Sequence, residues 1–382
     1  MENSKKPTFL DYLSRVCDPR KPYNQLHVFL DIVAIAVLAT LCGADTWNEI
    51  ESWGIAFKDW LSSFLTLKNG IPSHDTFNRV FQMIDPEEFH HIFLEWVQGV
   101  VSEIKGVVSI DGKTVRRSRD KKNGKRAIHV VSAWAEEFSL VLGQEKVDEK
   151  TNEIKAIPEL LKKLAIEGCT VTIDAMGTQK KIAEQINKQK ADYILQVKGN
   201  QKTLEKDISE YFEKEVFQKK KKELEDADMY FKDMCKDHGR LEIREYYIEK
   251  DISWMTDALK EWKGLNGIGA CRLTVEENGT VSSSVSYAIF SDPEMTAKKY
   301  GKYKRKHWQI ENSLHWCLDI AFNEDQSRMR KGYAAENMST LRHMCLNMLK
   351  QENTCKMGIK SKRKKCGWNH EYLIKVLETL AS

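Results

Sequence analysis

Val107-Val108-Ser109-Ile110-Asp111-Gly112 and, further along, Thr170-Val171-Thr172-Ile173-Asp174-Ala175 are the stretches on which the reading of this chain turns. Each is a short run of β-formers closed by an aspartate and a small residue. A carboxylate at the end of a core strand fits poorly in the core and fits well facing a crevice at the sheet edge. One such aspartate is commonly just a turn former. Two of them in one sheet point to a shared site.

Working outward, residues 128–134 and 140–147 read as two further strands. Ile154, Ile157, Leu160, Leu161 and Leu164 mark an amphipathic helix. A lysine-rich helix over about 178–190 leads into a strand at 193–197. The order β-β-β-α-β-α-β predicts an α+β unit, a mixed sheet with flanking helices. Between about 199 and 300 the pattern is broken by strand-like runs at 241–248, 270–276 and 281–290, a β-rich insertion. Helix returns near Tyr303, with Ile310, Leu314, Cys317 and Ala321 on one stripe, and a helical hairpin near 334–349 and 372–380 closes the chain. Upstream the texture is all-α: Phe89, Ile92, Phe93, Trp96, Val97 and Val100 recur at helical spacing behind Asp85-Pro86. The expected units are a helical domain over 1–104, a catalytic domain over 105–350 and a basic C-terminal tail and helix over 351–382.

With 41% hydrophobic and 30% charged residues, the 382-residue chain has the composition of a globular protein. Its longest apolar run, 32–44, is shorter than the roughly 20 residues a membrane helix needs. The N-terminus lacks the apolar run of a secretory signal. Nine scattered cysteines without a C-x-x-C argue against a disulfide framework or a cysteine zinc site. Together these features predict a cytoplasmic protein with no membrane partner. The net charge of +4 hides clusters: eight basic residues against one acid over 113–126, and six without an acid over both 298–306 and 356–365. Three such blocks favour a polyanionic partner.

Two divalent cations want several hard oxygen ligands, so a third acid is needed. Glu311, at the margin of the Ile310/Leu314/Cys317 stripe, can lie against the sheet and still reach a wet cleft. A surface glutamate pairing with Arg305 or Lys306 is the plainer reading. Lys113, Arg116 and Arg117 follow Asp111 closely enough to hold phosphates, and Lys198 lies near the same sheet edge. His307, Glu311 and His315, at i, i+4 and i+8, could suggest a zinc site, but no H-E-x-x-H is present. Paired carboxylates would also suit a glycosidase, which leaves the basic clusters unexplained.

Several segments resemble the insertion-sequence transposases related to the H-repeat-associated proteins. They are Gly-Ala-Asp45-Thr-Trp-Asn-Glu-Ile-Glu, Gly-Ile-Pro72-Ser-His-Asp-Thr-Phe, Ile-Asp111-Gly-Lys-Thr, Asp174-Ala-Met-Gly-Thr-Gln, Gln196-Val-Lys-Gly-Asn-Gln, His238-Gly-Arg, Ile310-Glu-Asn-Ser-Leu-His-Trp and Phe322-Asn-Glu-Asp. They occur in order from about residue 10 to 350. The resemblance implies a bacterial, nucleoid-associated D-D-E transposase on a ribonuclease-H-like fold behind a transposase-associated N-terminal domain. It places the catalytic and metal-binding triad on Asp111, Asp174 and Glu311. It further implies two Mg2+ or Mn2+ ions, double-stranded DNA bound through Lys113, Arg116, Arg117, Lys198 and Arg305, and a homodimer or larger assembly on DNA. The chain departs from related transposases around the glutamate: His307 stands at the usual arginine position, Leu318 at the lysine, and Tyr303 is off register by one. A catalytically silent, transposase-derived DNA-binding protein is the rival reading.

Overall fold

The computed structural model describes residues 8–101, 103–119, 124, 126–147, 153–237 and 239–379. His238 and much of the basic run after Arg119 lie outside the described residues. The chain opens with helices α1 (Phe9–Leu13), α2 (Phe29–Leu41), α3 (Trp47–Ala56), α4 (Lys58–Leu61), α5 (His74–Met83) and α6 (Pro86–Val100). Local chemistry sets their starts. Thr46 and Glu49 form a reciprocal capping box on α3, and Asp85 caps α6 with Pro86 in its first turn. Helix α2 is apolar all round, and its neighbours bury it on nearly every side.

Strand β1 (Gly106–Thr114) pairs antiparallel with β2 (His129–Ala135), which pairs with β3 (Leu140–Val147). After α7 (Glu153–Lys162), β4 (Cys169–Ile173) returns parallel to β1. After α8 (Lys180–Lys188), β5 (Asp192–Val197) lies parallel to β4. The 199–300 region opens with α9 (Lys202–Tyr211) and α10 (Lys221–Asp226). It continues with β6 (Tyr230–Asp237), β7 (Arg240–Glu249), α11 (Thr256–Glu261), β8 (Gly267–Glu277) and β9 (Thr280–Phe290). β9 pairs antiparallel with β5, so the inserted strands extend the first sheet into one of nine strands, ordered β3-β2-β1-β4-β5-β9-β8-β7-β6.

Helix resumes at α12 (Ala297–His307), before Tyr303, because Thr296 caps it by accepting from the Lys299 N–H. It is followed by α13 (Trp316–Phe322), α14 (Ala334–Gln351), α15 (Ile359–Trp368) and α16 (His370–Glu378). Every residue of α14 from Ala334 to Leu349 is buried. Its Asn337 donates to the Phe81 and Ile84 carbonyls, and its Asn347 exchanges two bonds with Val141 of β3. The N-terminal helices and the sheet therefore share one hydrophobic core through α14. The basic run 356–365 lies largely in α15, where Lys362 and Arg363 are buried. Arg363 donates to the Thr40, Ala44 and Ala321 carbonyls and to Asp45.

Candidate active site

The parallel register of β1 and β4 pairs Ile110 with Ile173 as its last rung. Asp111 and Asp174 are the next residues on two strands about 4.8 Å apart. They stand side by side where the strands part. One detail departs from the sequence reading: β1 does not end at Asp111. It continues to Thr114 by pairing with β2 alone, Asp111 opposite Ser132 and Gly112 opposite Val131. A Cβ at Gly112 would sit 2.6 Å from both Glu153 Oε1 and His129 Nε2, so any larger residue would have to push these two side chains aside. These two form a buried pair at 2.5 Å, and His129 Nδ1 meets Thr114 Oγ1 at 2.8 Å.

The loop after Asp174 is held by its own carboxylate, which accepts from the Met176 and Gly177 N–H groups at 3.0 and 3.2 Å. Thr178 bonds to the Gln196 carbonyl, Asn200 to that of Ala175 and Gln201 to that of Thr178. The segments around Asp174 and Lys198 thus fix each other.

Helix α12 crosses β1 and β4. Buried His307 anchors it, its Nδ1 3.1 Å from Thr172 Oγ1. Burial pushes the His307 imidazole down to about 4, so it is neutral. Between α12 and α13 the backbone makes one π-turn, Glu311–His315, with the Trp316 N–H donating to the Glu311 carbonyl. π-turns are frequent at functional sites. Ile310, Leu314, Cys317 and Ala321 are buried, as their stripe predicts, while Glu311 is exposed. Lys306 pairs with Glu137 and Arg305 with Asp233, so neither pairs with Glu311.

Ligand atoms of Asp111, Glu311 and His315 lie within 4.8 Å of one another. His315 Nε2 is 3.2 Å from Asp111 Oδ2. The zinc spacing noted in the sequence is therefore not used as a set: His307 is spent on Thr172, and Asp111 takes its place. Burial opposes ionisation of Asp111, but the His315 bond and charge and the Gly112 N–H outweigh it, holding the carboxyl below its ordinary value. Asp174 is raised, by burial first and then by the Asp111 and Glu153 charges, against its two backbone bonds. Two carboxylates crowded in this way suit a divalent cation that neutralises both.

The predicted basic residues have different fates. Lys113 does not face solvent: its side chain is 11% exposed, and its ammonium meets Asp319 at 2.5 Å, Glu324 at 3.0 Å and the His315 carbonyl at 3.4 Å. Arg116 and Arg117 are exposed, with Arg116 resting on Asp325 at 3.2 Å. Lys198 is exposed, and Arg305 is half-exposed on Asp233. Lys304 was missed. It shares a stripe with Tyr300 and His307, is 9% exposed, and has no acidic partner among the described residues. Burial first, then the Lys198 charge, lowers its pKa. Glu153 and His129 were also missed, and nothing in their sequence context marks them.

The transposase DDE domain model matches residues 103–348, and the model of its associated domain matches 10–97. The chain belongs to the DDE transposase domain family. Among relatives of this family member, "H repeat-associated putative transposase YhhI" of Escherichia coli K12 is 39% identical over 374 residues, covering 96% of this chain and 97% of that one. "Putative transposase YncI" of Escherichia coli O157:H7 is 42% identical over 374 residues, covering 97% and 94%. Among solved structures, a piggyBac transposase synaptic complex with hairpin DNA aligns with a TM-score of 0.43 and 9% identity, over 97% of this chain and 76% of that one.

Proposed function

We propose that this chain is a DNA transposase that cuts phosphodiester bonds at the ends of an insertion-sequence element and transfers the strand to target DNA. The observation that carries this reading is that Asp111 and Asp174 follow the last paired rung of β1 and β4, Ile110 and Ile173, and that Glu311 and His315 stand with Asp111 in one group of possible ligands, to which Asp174 does not belong. In this reading Asp111, Asp174 and Glu311 hold Mg2+ or Mn2+, two ions in all. Such ions lower the pKa of an attacking water or 3′-hydroxyl and stabilise the leaving oxygen. The chain's own part is to hold its carboxylates ready. The sheet fixes both aspartates, and His307 pins the helix that brings Glu311.

Double-stranded DNA is the proposed partner. Arg116, Arg117 and Lys198 offer exposed cations near the acids. Lys113 acts from inside, fastening β1 to the helix of Glu311. A groove of about 890 Å³ runs between the starts of α3 and α5 and the 323–331 segment, lined by Trp47, His74, Arg328 and Lys331 among others. It gives the N-terminal helices a surface for recognising element ends, and a homodimer or larger assembly would bring two ends together. The silent DNA-binding alternative shares these surfaces but needs no intact acids, and all three acids are present.

The test is cleavage of DNA carrying the gene's own flanking sequences, with magnesium, followed by sequencing of the cut ends. Glu311→Gln keeps size but removes the charge a hard cation requires. It should abolish cutting while leaving DNA binding and melting temperature nearly intact. Glu324→Gln should still cut. A Glu311→Gln protein that cuts at the wild-type rate would move the third ligand elsewhere.

A further inference from the structure

His315 is 3% exposed, yet its ring makes one hydrogen bond, from Nε2 to a carboxylate of the acid cluster. Its Nδ1 has no partner among the described residues. The case for a ligand therefore rests on Nε2, the ring atom that faces the acids. The π-turn supplies both His315 and Glu311 from one turn of backbone, and the Lys113 ammonium at the His315 carbonyl braces that turn. A rigid element of this kind fixes donor geometry before an ion arrives.

The spacing is that of ligands. Two donors at right angles around an ion, with bonds of about 2.1 Å, stand about 3.0 Å apart. His315 Nε2 and Asp111 Oδ2 stand 3.2 Å apart, and a Glu311 oxygen completes the group within 4.8 Å. We propose that His315 is itself a metal ligand, sharing an ion with Asp111 and Glu311, so that this position takes one nitrogen and two carboxylate donors. The proposal rests on the metal-dependent reading above. It adds a selectivity that an all-carboxylate site would lack. Mg2+ favours oxygen donors, whereas imidazole suits the first-row transition ions. Mn2+ binds nitrogen least strongly among those ions, so the preference measured with it is a lower bound.

Mn2+ alone is the probe, added to the full chain without DNA. Pulsed electron paramagnetic resonance should show a directly bound nitrogen in the wild type. His315→Gln retains an amide that can bond to Asp111 but offers Mn2+ no imidazole. It should lose the nitrogen coupling and bind Mn2+ about tenfold more weakly by titration calorimetry, with Mg2+ affinity changed little. If the wild type binds Mn2+ without nitrogen coupling, His315 only positions Asp111 and the proposal fails while the metal reading stands. If Mn2+ binding is absent in the wild type, or is the same in Glu311→Gln, both fail together. Should His315→Gln not fold, the wild-type coupling alone decides.

Discussion

Lys113→Met tests whether the lysine beside the first aspartate works from inside the fold. The side chains of Lys113, Glu324 and Arg342 are 11%, 2% and 3% exposed, and Arg342 stands 3.7 Å from Glu324 on the side away from Lys113. Burial opposes the charge on Lys113, but Glu324 and Asp319 outweigh it and raise its pKa. Burial likewise opposes ionisation of Glu324, and Lys113, then Arg342 and His343, outweigh it and lower its pKa. Methionine fills nearly the same volume and removes the charge, which leaves Glu324 with one distant cation. Breaking a buried pair from one side costs about 3–5 kcal/mol. For 382 residues unfolding as one unit, the unfolding entropy is about 800 cal/mol/K, so 4 kcal/mol lowers the melting temperature by about 5 °C.

The pH dependence gives a sharper check. A carboxyl with a lowered folded pKa contributes stability that is present above its unfolded pKa, near 4.5, and is lost as pH falls through the folded value. In the wild type this loss should begin below about pH 4.5. In Lys113→Met, Glu324 protonates more readily, so the gap between variant and wild type should narrow between pH 7 and pH 4. Thermal melts at both values measure it. An unchanged melting temperature at pH 7, or a gap that widens on acidification, would refute the assignment of Lys113 as an internal counter-charge.

Replacing Arg116, Arg117 and Lys198 together by Ala should reduce the slope of log affinity against log salt by about 3, at roughly 0.9 per phosphate contact, while Lys113→Met leaves the slope alone; filter binding at several salt concentrations reads both. Asp174→Asn should abolish cutting yet melt at the wild-type temperature or above at pH 7. A carboxyl whose folded pKa is raised costs stability once ionised, so the difference should vanish below about pH 4; a clear drop at pH 7 would show that the Asp174 charge is balanced by something else.

What the sequence disclosed, and what it hid, follow from the range of the interactions involved. Ile110-Asp111 and Ile173-Asp174 were legible because a short β-rich run ending on a carboxylate is a local pattern. That β1 runs on to Thr114 was not, because Gly112-Lys113 resembles a turn and the pairing that extends the strand comes from β2. Strand β6 went unread because it is a polar edge strand, largely solvent-facing beyond Tyr230. Lys362 and Arg363 were counted in a basic block that favours a polyanionic partner, since a count of charges cannot see the carbonyls at the ends of α2, α13 and α14 that they satisfy. The π-turn has no signature in residue types. It arises where a helix pinned at His307 must also bury Leu314.

The Phe322-Asn-Glu-Asp turn shows why so much of the chain must be in place before the acids are. Asn323 takes the left-handed conformation, at φ 49°, that stops α13, and its amide reaches Asp45 at 2.6 Å. Arg363 lies over the Phe322 ring at 4.2 Å and also holds Asp45. Glu324 holds Lys113 two residues beyond Asp111, and Asp325 receives Arg116. The corner between α2 and α3, the strand of Asp111, the helix of Glu311 and the C-terminal α15 therefore meet in four consecutive residues. A substitution in any of these elements can be felt at the acid cluster without touching it. Glu324 and Asp325 are also the acids nearest to Glu311 in the family-like motif that follows it. Both already have cation partners, whereas Glu311 has none among the described residues. A carboxylate free of its own counter-charge is the one available to an incoming ion.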